Sequence, residues 1–194
     1  MVVNAQDELF ILGSSASSDF PTTDGCYDDS FGGGPPPAFG GTYGVSYPTG
    51  SDIVVAHLNA TATALVGATF VGGPANDGLC ADTPLLHNYG DPFRGEIIIG
   101  ANGAPIVATS TSSTGLFTSP EASQADLAGL SDAYLFSLDP ALATMNWATY
   151  HGGTGRDVGF GVQTASTGEV YLTGGTQSID LPMAELYRDV TFDS

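Results

Sequence analysis

Lysine is absent from this sequence and arginine occurs only three times, against 21 acidic residues, so the 194-residue chain carries a formal charge of −18. A surface this poor in cations cannot neutralise a row of phosphates, which excludes nucleic acid and anionic membrane as extended partners. The acid is scattered rather than run together, so the simplest reading of the charge is a solvated surface. Calcium held in the acidic loops, or a high-salt habitat, is the sharper alternative. No apolar run approaches the length of a membrane span, and Met1 to Glu8 lacks the basic and apolar segments of a signal peptide. Catalytic spacings are missing too. The histidines His57, His87 and His151 fall in different elements without metal-ligand spacing, and no serine sits in G-x-S-x-G. Paired acids such as Asp28-Asp29 suit a glycosidase but are commonplace in an acidic loop.

What the sequence does have is punctuation. From Trp147 to Pro182 it reads WATYHGGTGRDVGFGVQTASTGEVYLTGGTQSIDLP. Trp147 to Tyr150 is an aromatic and β-branched run that stops at Gly152-Gly153. Val158, Phe160 and Val162 then alternate with glycines until Ser166-Thr167-Gly168, and Glu169 to Thr173 runs to Gly174-Gly175. Period-two runs bounded by turn residues predict short strands, and connections of about three residues make them antiparallel neighbours.

The block recurs. A slide of 80 residues lays Ser51-Asp52 on Ser131-Asp132, Leu58 on Leu138, Thr69-Phe70 on Thr149-Tyr150, Gly72-Gly73 on Gly152-Gly153 and Asp77 on Asp157, without a gap. A slide of 65 lays Ile106-Val107 on Tyr171-Leu172, and a slide of 161 lays Phe10 to Gly13 on Tyr171 to Gly174. Repeats of this kind decide the fold before any single motif does.

The patterns W-A-T-Y-x-G-G-x-x-x-D, G-E-V-Y-L-T-G-G-T-x-S-x-D-L-P and, in the earlier copy, S-D-I-V-V-A-H-L-N resemble the SBBP (β-propeller) repeat of large exported bacterial proteins. Asn88 to Glu96 resembles such proteins from the Bacteroidota that carry gliding or type IX secretion sorting domains. The resemblance implies an all-β fold, a partial β-propeller of four-stranded antiparallel blades. In blade order, strand A is Val158 to Thr164, B is Glu169 to Thr173, C is Asp132 to Leu138 and D is Thr144 to Tyr150. Met1 to Val3 ends an A strand and Leu9 to Leu12 is the next B strand, while Asp52 to Leu58 and Ala64 to Val71 are C and D. Gly95 to Gly100 and Pro105 to Thr109 open the second blade. The chain then divides into a first blade with a long B–C insertion (1–73), a D–A connection with a second blade (74–153), and the first half of a third (154–194). Propellers need several blades to close, so the expectation is a piece of a longer polypeptide.

The function implied is that of a non-enzymatic repeat segment of a secreted or cell-surface protein, acting as scaffold or adhesive surface. Its partners would be other blades, surface proteins or glycans, with no cofactor. A low share of charged residues, 12%, beside abundant Gly, Thr, Ser and Ala agrees with an extracellular β-protein. The alternatives are part of a hydrolytic, carbohydrate-active propeller enzyme, or a glycan-binding module using loop aromatics.

Within this frame individual residues acquire roles. Asp77 and Asp157 each follow a Gly-Gly corner just before strand A, where a carboxylate accepting backbone N–H groups ties the turn shut; Asp52 and Asp132 open strand C in the same way. Calcium ligation is the rival at these corners. Phe20 recurs as Leu116 and Leu181, a plug under the loops. Phe31, Phe39, Tyr43 and Tyr47 either pack their loop onto its own blade or meet a ligand. Asn59-Ala60-Thr61 has the form of a sequon but sits in a turn, and Gln124 to Leu130 has room for one helical turn. The long connections 13–50, 74–93 and 110–130 all join B to C or D to A, which puts them on one face. Cys26 and Cys80 lie in two of these connections around the first blade, and on that placement a Cys26–Cys80 disulfide is expected.

Overall fold

A computed structural model describes residues 1–37, 46–80, 85 and 91–182. The fold is all-β, in three antiparallel sheets whose strands follow one another in chain order. The first sheet contains β1 (Val2–Val3), β2 (Leu9–Ser15), β3 (Asp52–Leu58) and β4 (Leu65–Val71). The second contains β5 (Glu96–Ile99), β6 (Pro105–Thr111), β7 (Asp132–Leu138) and β8 (Met145–His151). The third pairs β9 (Asp157–Thr164) with β10 (Val170–Thr176). The strands run on average a little further than their hydrophobic alternation predicts, because the ladder continues into the flanking Ser and Thr residues.

The 80-residue repeat is a repeat of register. Val55 faces Thr69 across β3 and β4, and Leu135 faces Thr149 across β7 and β8. Each ladder slips at the same place, between His57 and Leu58 and between Ser137 and Leu138. The hairpin turns explain the slip. Asn59 Oδ1 accepts the N–H groups of Thr63 (2.9 Å) and Ala64 (3.2 Å), and Asp139 Oδ1 accepts those of Ala143 and Thr144, both at 2.7 Å. One acceptor closing five residues forces the fourth into the left-handed region, and Ala62 (φ 52°) and Leu142 (φ 59°) take that strain. The sequon-like Asn59 is thus occupied in its turn.

Two apolar layers hold the sheets face to face. Phe10, Ile53, Val55 and Val71 of the first sheet meet Tyr134, Phe136, Leu138 and Tyr150 of the second, and all eight are buried. Ile106, Ala108, Ala133 and Leu135 on the opposite face of the second sheet meet Val162 of β9 and Val170 and Leu172 of β10. Strands β6 and β7 are therefore apolar on both faces, as a sheet between two others must be.

The connections joining B to C strands depart from expectation. They do not simply stand out from one face; each folds back along the outer edge of its own sheet. Thr23 and Asp28 bond along β4, with Phe70 N–H donating to Asp28 O at 3.0 Å and Ala68 N–H to Thr23 Oγ1 at 3.0 Å. Ser119 and Gln124 do the same along β8: Tyr150 N–H donates to Gln124 O at 3.1 Å and Ala148 N–H to Ser119 Oγ at 3.0 Å. Thr69 and Thr149 are bonded identically to the two straps. An exposed edge strand invites pairing with other chains, and a strap of this kind blunts it. The strap also replaces the helical turn expected over Gln124 to Leu130, which is irregular. Phe20 and Phe31 pack against Phe70 beneath their loop, and Tyr47 lies against Phe93, so these three aromatics serve packing. Phe39 and Tyr43 lie outside the described residues.

The expected Cys26–Cys80 disulfide is not formed; the two cysteines are not bonded to each other. Cys26 belongs to the strap on β4, while Cys80 is buried with Leu85 and Val158 against β9, beyond the Asp77 corner. The connection carrying Cys80 has already crossed toward the third sheet, which the loop lengths did not reveal. Titration of the unfolded chain with a thiol reagent under non-reducing conditions is expected to find two thiols, the half-buried Cys26 reacting first in the native protein. A count of zero would restore the bond.

Candidate functional site

The polar residues that repeat meet at the corners between sheets. Asp77 follows the Gly72-Gly73 turn and is fully buried. Its backbone N–H donates to Ser51 O at 2.8 Å, and Ser51 Oγ donates back to Asp77 O at 2.8 Å. Its carboxylate accepts from Gly73 N–H (2.8 Å) and Ser113 Oγ (2.8 Å) and from the Thr111 hydroxyl. Gly73 belongs to the turn, as the sequence implies, whereas Thr111 is the last residue of β6 and Ser113 stands two residues beyond it. The carboxylate therefore closes its own turn and fastens the first sheet to the second.

Asp157 repeats the arrangement one sheet later. Its N–H donates to Ser131 O at 2.7 Å, and its Oδ2 accepts from Gly153 N–H at 2.8 Å and Ser178 Oγ at 2.6 Å. Ser178 takes the place of Ser113, and the segments Thr111-x-Ser113 and Thr176-x-Ser178 are themselves 65 residues apart, so the sequence held a signal for them; the threonine bond to the carboxylate is made at Asp77 alone, Thr176 Oγ1 donating instead to Ser178 O. In each, the serine N–H bonds the threonine hydroxyl, at 3.0 and 2.9 Å. Beside these corners Asp52 accepts from Gly32 and Gly33 N–H (2.7 and 2.9 Å), and Asp132 accepts from Ala128 N–H (2.9 Å) and Gln124 Nε2 (2.6 Å). Each of these carboxylates fastens the strap of its own sheet. Gly72 and Gly152 pass directly over them: a Cβ at Gly72 would stand 2.6 Å from Asp52 Cγ. No side chain fits there.

Burial dominates the electrostatics. It pushes the Asp77 carboxyl up to about 7, against the hydrogen bonds from Thr111, Gly73 and Ser113 and with the negative Asp52 nearby acting in the same direction. Asp52 and Asp132 are raised for the same first reason. At the half-buried turn carboxylate Asp139 desolvation is the largest single influence and raises it, but the backbone N–H bonds from Thr144, Ala143 and Ala141 and the Thr144 hydroxyl together outweigh it, so the carboxyl is lowered.

The chain matches no family model, and no curated protein matches it. Its site residues therefore stand on their own geometry. His57 is buried between sheets, its Nδ1 2.8 Å from Pro140 O and its ring stacked on Phe10 at 4.0 Å. A carbonyl only accepts, so Nδ1 carries the proton. Nε2 lies 3.1 Å from Glu8 Oε2. His57 thus turns toward the neighbouring sheet, and His151, on the far face of β8, is not brought to it. His87 lies outside the described residues. Asp28 is occupied in a turn with Ser30 N–H at 2.8 Å. Among the described residues no three His, Cys, Asp or Glu converge as metal ligands, and no helix is long and apolar enough to cross a membrane.

One feature had no signal in the motifs. The single tryptophan, Trp147, stands half-buried on the face of β8 that the two-stranded third sheet leaves uncovered. It borders a groove of about 670 Å³ with Leu135, Thr149, Val170, Tyr171 and Leu172, and a second depression of about 460 Å³ under the Ser119–Ser123 part of the strap. Tyr171 is 52% exposed beside it. A half-buried tryptophan packed on the Ile106, Ala108 and Leu135 layer, with an exposed tyrosine on the same groove, marks a place for contact.

Proposed function

We propose that this chain is a non-enzymatic scaffold: successive propeller-type blades of a large exported surface protein, presenting its uncovered face and loops for adhesion. The observation that carries the reading is the repeated corner. Asp77 and Asp157 each spend a carboxylate oxygen on the next sheet through an equivalent serine, Ser113 and Ser178, so the acids that the sequence singles out work as ties between blades rather than around a substrate. The packing of β5 against β1 and β2, and of β9 against β5, β6 and β7, supports the blade arrangement with A strands innermost. Thr- and Ser-based ties, edge straps and a lysine-free surface suit a rigid module that lives outside the cell among other modules. The test is location and association in the producing organism. An antibody against this chain is expected to label intact cells or the culture medium, and signal confined to the cytosol after lysis would overturn the proposal.

A further inference from the structure

The geometry points to the Trp147 groove and the outer edge of β10 as the docking site for a β-hairpin that carries a small residue at its left-handed turn position. The inference rests on the stacked-blade function proposed for this chain and names the partner chemistry of one of its faces.

The first interface supplies the template. There the β7–β8 hairpin covers the face of β3 and β4: Pro140 O meets His57, and Leu142, fully buried, sits over Gly67. The approach is so close that a Cβ at Gly67 would stand 2.5 Å from Ala141 O and 3.3 Å from Leu142 Cγ. The second sheet presents the same face one repeat later, with Leu135 in the place of Val55 and Thr149 in the place of Thr69. Among the described residues only β9 and β10 cover it, and they leave Leu135 and Trp147 bordering the groove. The outer edge of β10 has no strand or strap partner among the described residues, unlike β4 and β8. An edge strand of seven residues beside an apolar groove is built for strand addition.

The occupant is constrained by one exchange. Trp147 stands where Gly67 stands in the first sheet. In the filled interface the turn supplies the bulk, Leu142, and the strand supplies the space. In the open one the strand supplies the bulk, so the turn that lands on it must supply the space. A hairpin like β7–β8 would drive Leu142 into the indole, whereas β3–β4 has Ala62 at the matching position in a turn of the same conformation. A hairpin of the β3–β4 type therefore fits the chemistry: a strand antiparallel to β10 with apolar side chains at alternate positions, and alanine over Trp147.

The probe is a synthetic peptide of residues 51–73 added to the intact chain, with the fluorescence of the sole tryptophan as readout, since that peptide has none. Burying Trp147 is expected to shift its emission to the blue, saturably. The Ala62→Leu peptide is expected to bind about tenfold more weakly, through overpacking against the indole. The chain variant Trp147→Phe, monitored by isotope-edited NMR of β10 amides, is expected to reduce that discrimination. No blue shift with the parent peptide, or an equal response to a scrambled one, would overturn the inference; so would equal affinity for both turn variants. A chain that still shows export and tied sheets but fails here would lose the docking site and keep its scaffold role.

Discussion

Lowering the pH from 8 to 5 is expected to stabilise this protein, and Asp77→Asn is expected to remove most of that gain. The Asp77 carboxyl is raised to about 7 in the fold from an ordinary value of 3.8. A carboxyl raised in the fold binds its proton more tightly there than in the unfolded chain. Its contribution is therefore fully present below about pH 4 and is lost as pH rises through 7. A displacement of about three pK units corresponds to roughly 4 kcal/mol over the whole window down to pH 4, of which about 2.5 kcal/mol falls between pH 8 and 5, on the order of 5 to 10 °C in melting temperature for a domain of this size. Asp52 and Asp132, also raised, act in the same direction. Asp139, lowered in the fold, acts oppositely, and its contribution disappears only as pH falls below the ordinary carboxylate range. The expected optimum is mildly acidic. Asparagine reproduces the shape of the protonated acid: its oxygen accepts from Gly73 and Ser113, and its NH₂ donates to the Thr111 hydroxyl. The variant should thus match or exceed the parent at pH 8 and vary less between pH 5 and 8. Thermal unfolding of both proteins across that range checks this, and superimposable pH profiles would remove Asp77 from the account.

Replacing Gly67 with tryptophan is expected to break the first interface, and pairing it with Leu142→Ala is expected to recover part of the loss. Alone, Leu142→Ala removes a fully buried side chain from the main core and should cost about 2 to 5 kcal/mol. Relief of the left-handed strain at this position is absent, since alanine bears it equally at Ala62. Gly67→Trp places a ring where even a Cβ meets Ala141 O at 2.5 Å, and overpacking of this kind costs about 1 to 3 kcal/mol or more. If the two positions share one space, the double variant is less destabilised than the sum, by a coupling of about 0.5 to 3 kcal/mol. Strictly additive losses in chemical denaturation would show that the turn and β4 do not compete for that space.

The strands, their antiparallel order and the repeat of register were legible because each is local. Period-two alternation, Gly-Gly stops and the Asn59 and Asp139 turns act within a few residues, and an unbroken spacing of 80 carries one four-stranded sheet onto the next. Asp77 and Asp157 were recognised as turn carboxylates for the same reason, since Gly73 and Gly153 lie four residues away from them. Their other halves, Ser113 and Ser178, lie 36 and 21 residues off and are fixed only when two sheets meet. The straps along β4 and β8 likewise use backbone groups that any sequence supplies, so composition announced a long loop but not its course. The cysteines show the same limit: loop membership placed Cys26 and Cys80 on one blade, and the path of the chain past Asp77 carried Cys80 to β9. Trp147 read as one residue of a strand from Thr144 to Tyr150; that its indole would stand half-buried at the edge of a groove, where the equivalent Gly67 keeps space for Leu142, depended on which neighbour covers each face. Local geometry is written in nearest neighbours along the chain, whereas the meeting of sheets is decided by side chains far apart in sequence whose shapes must fit.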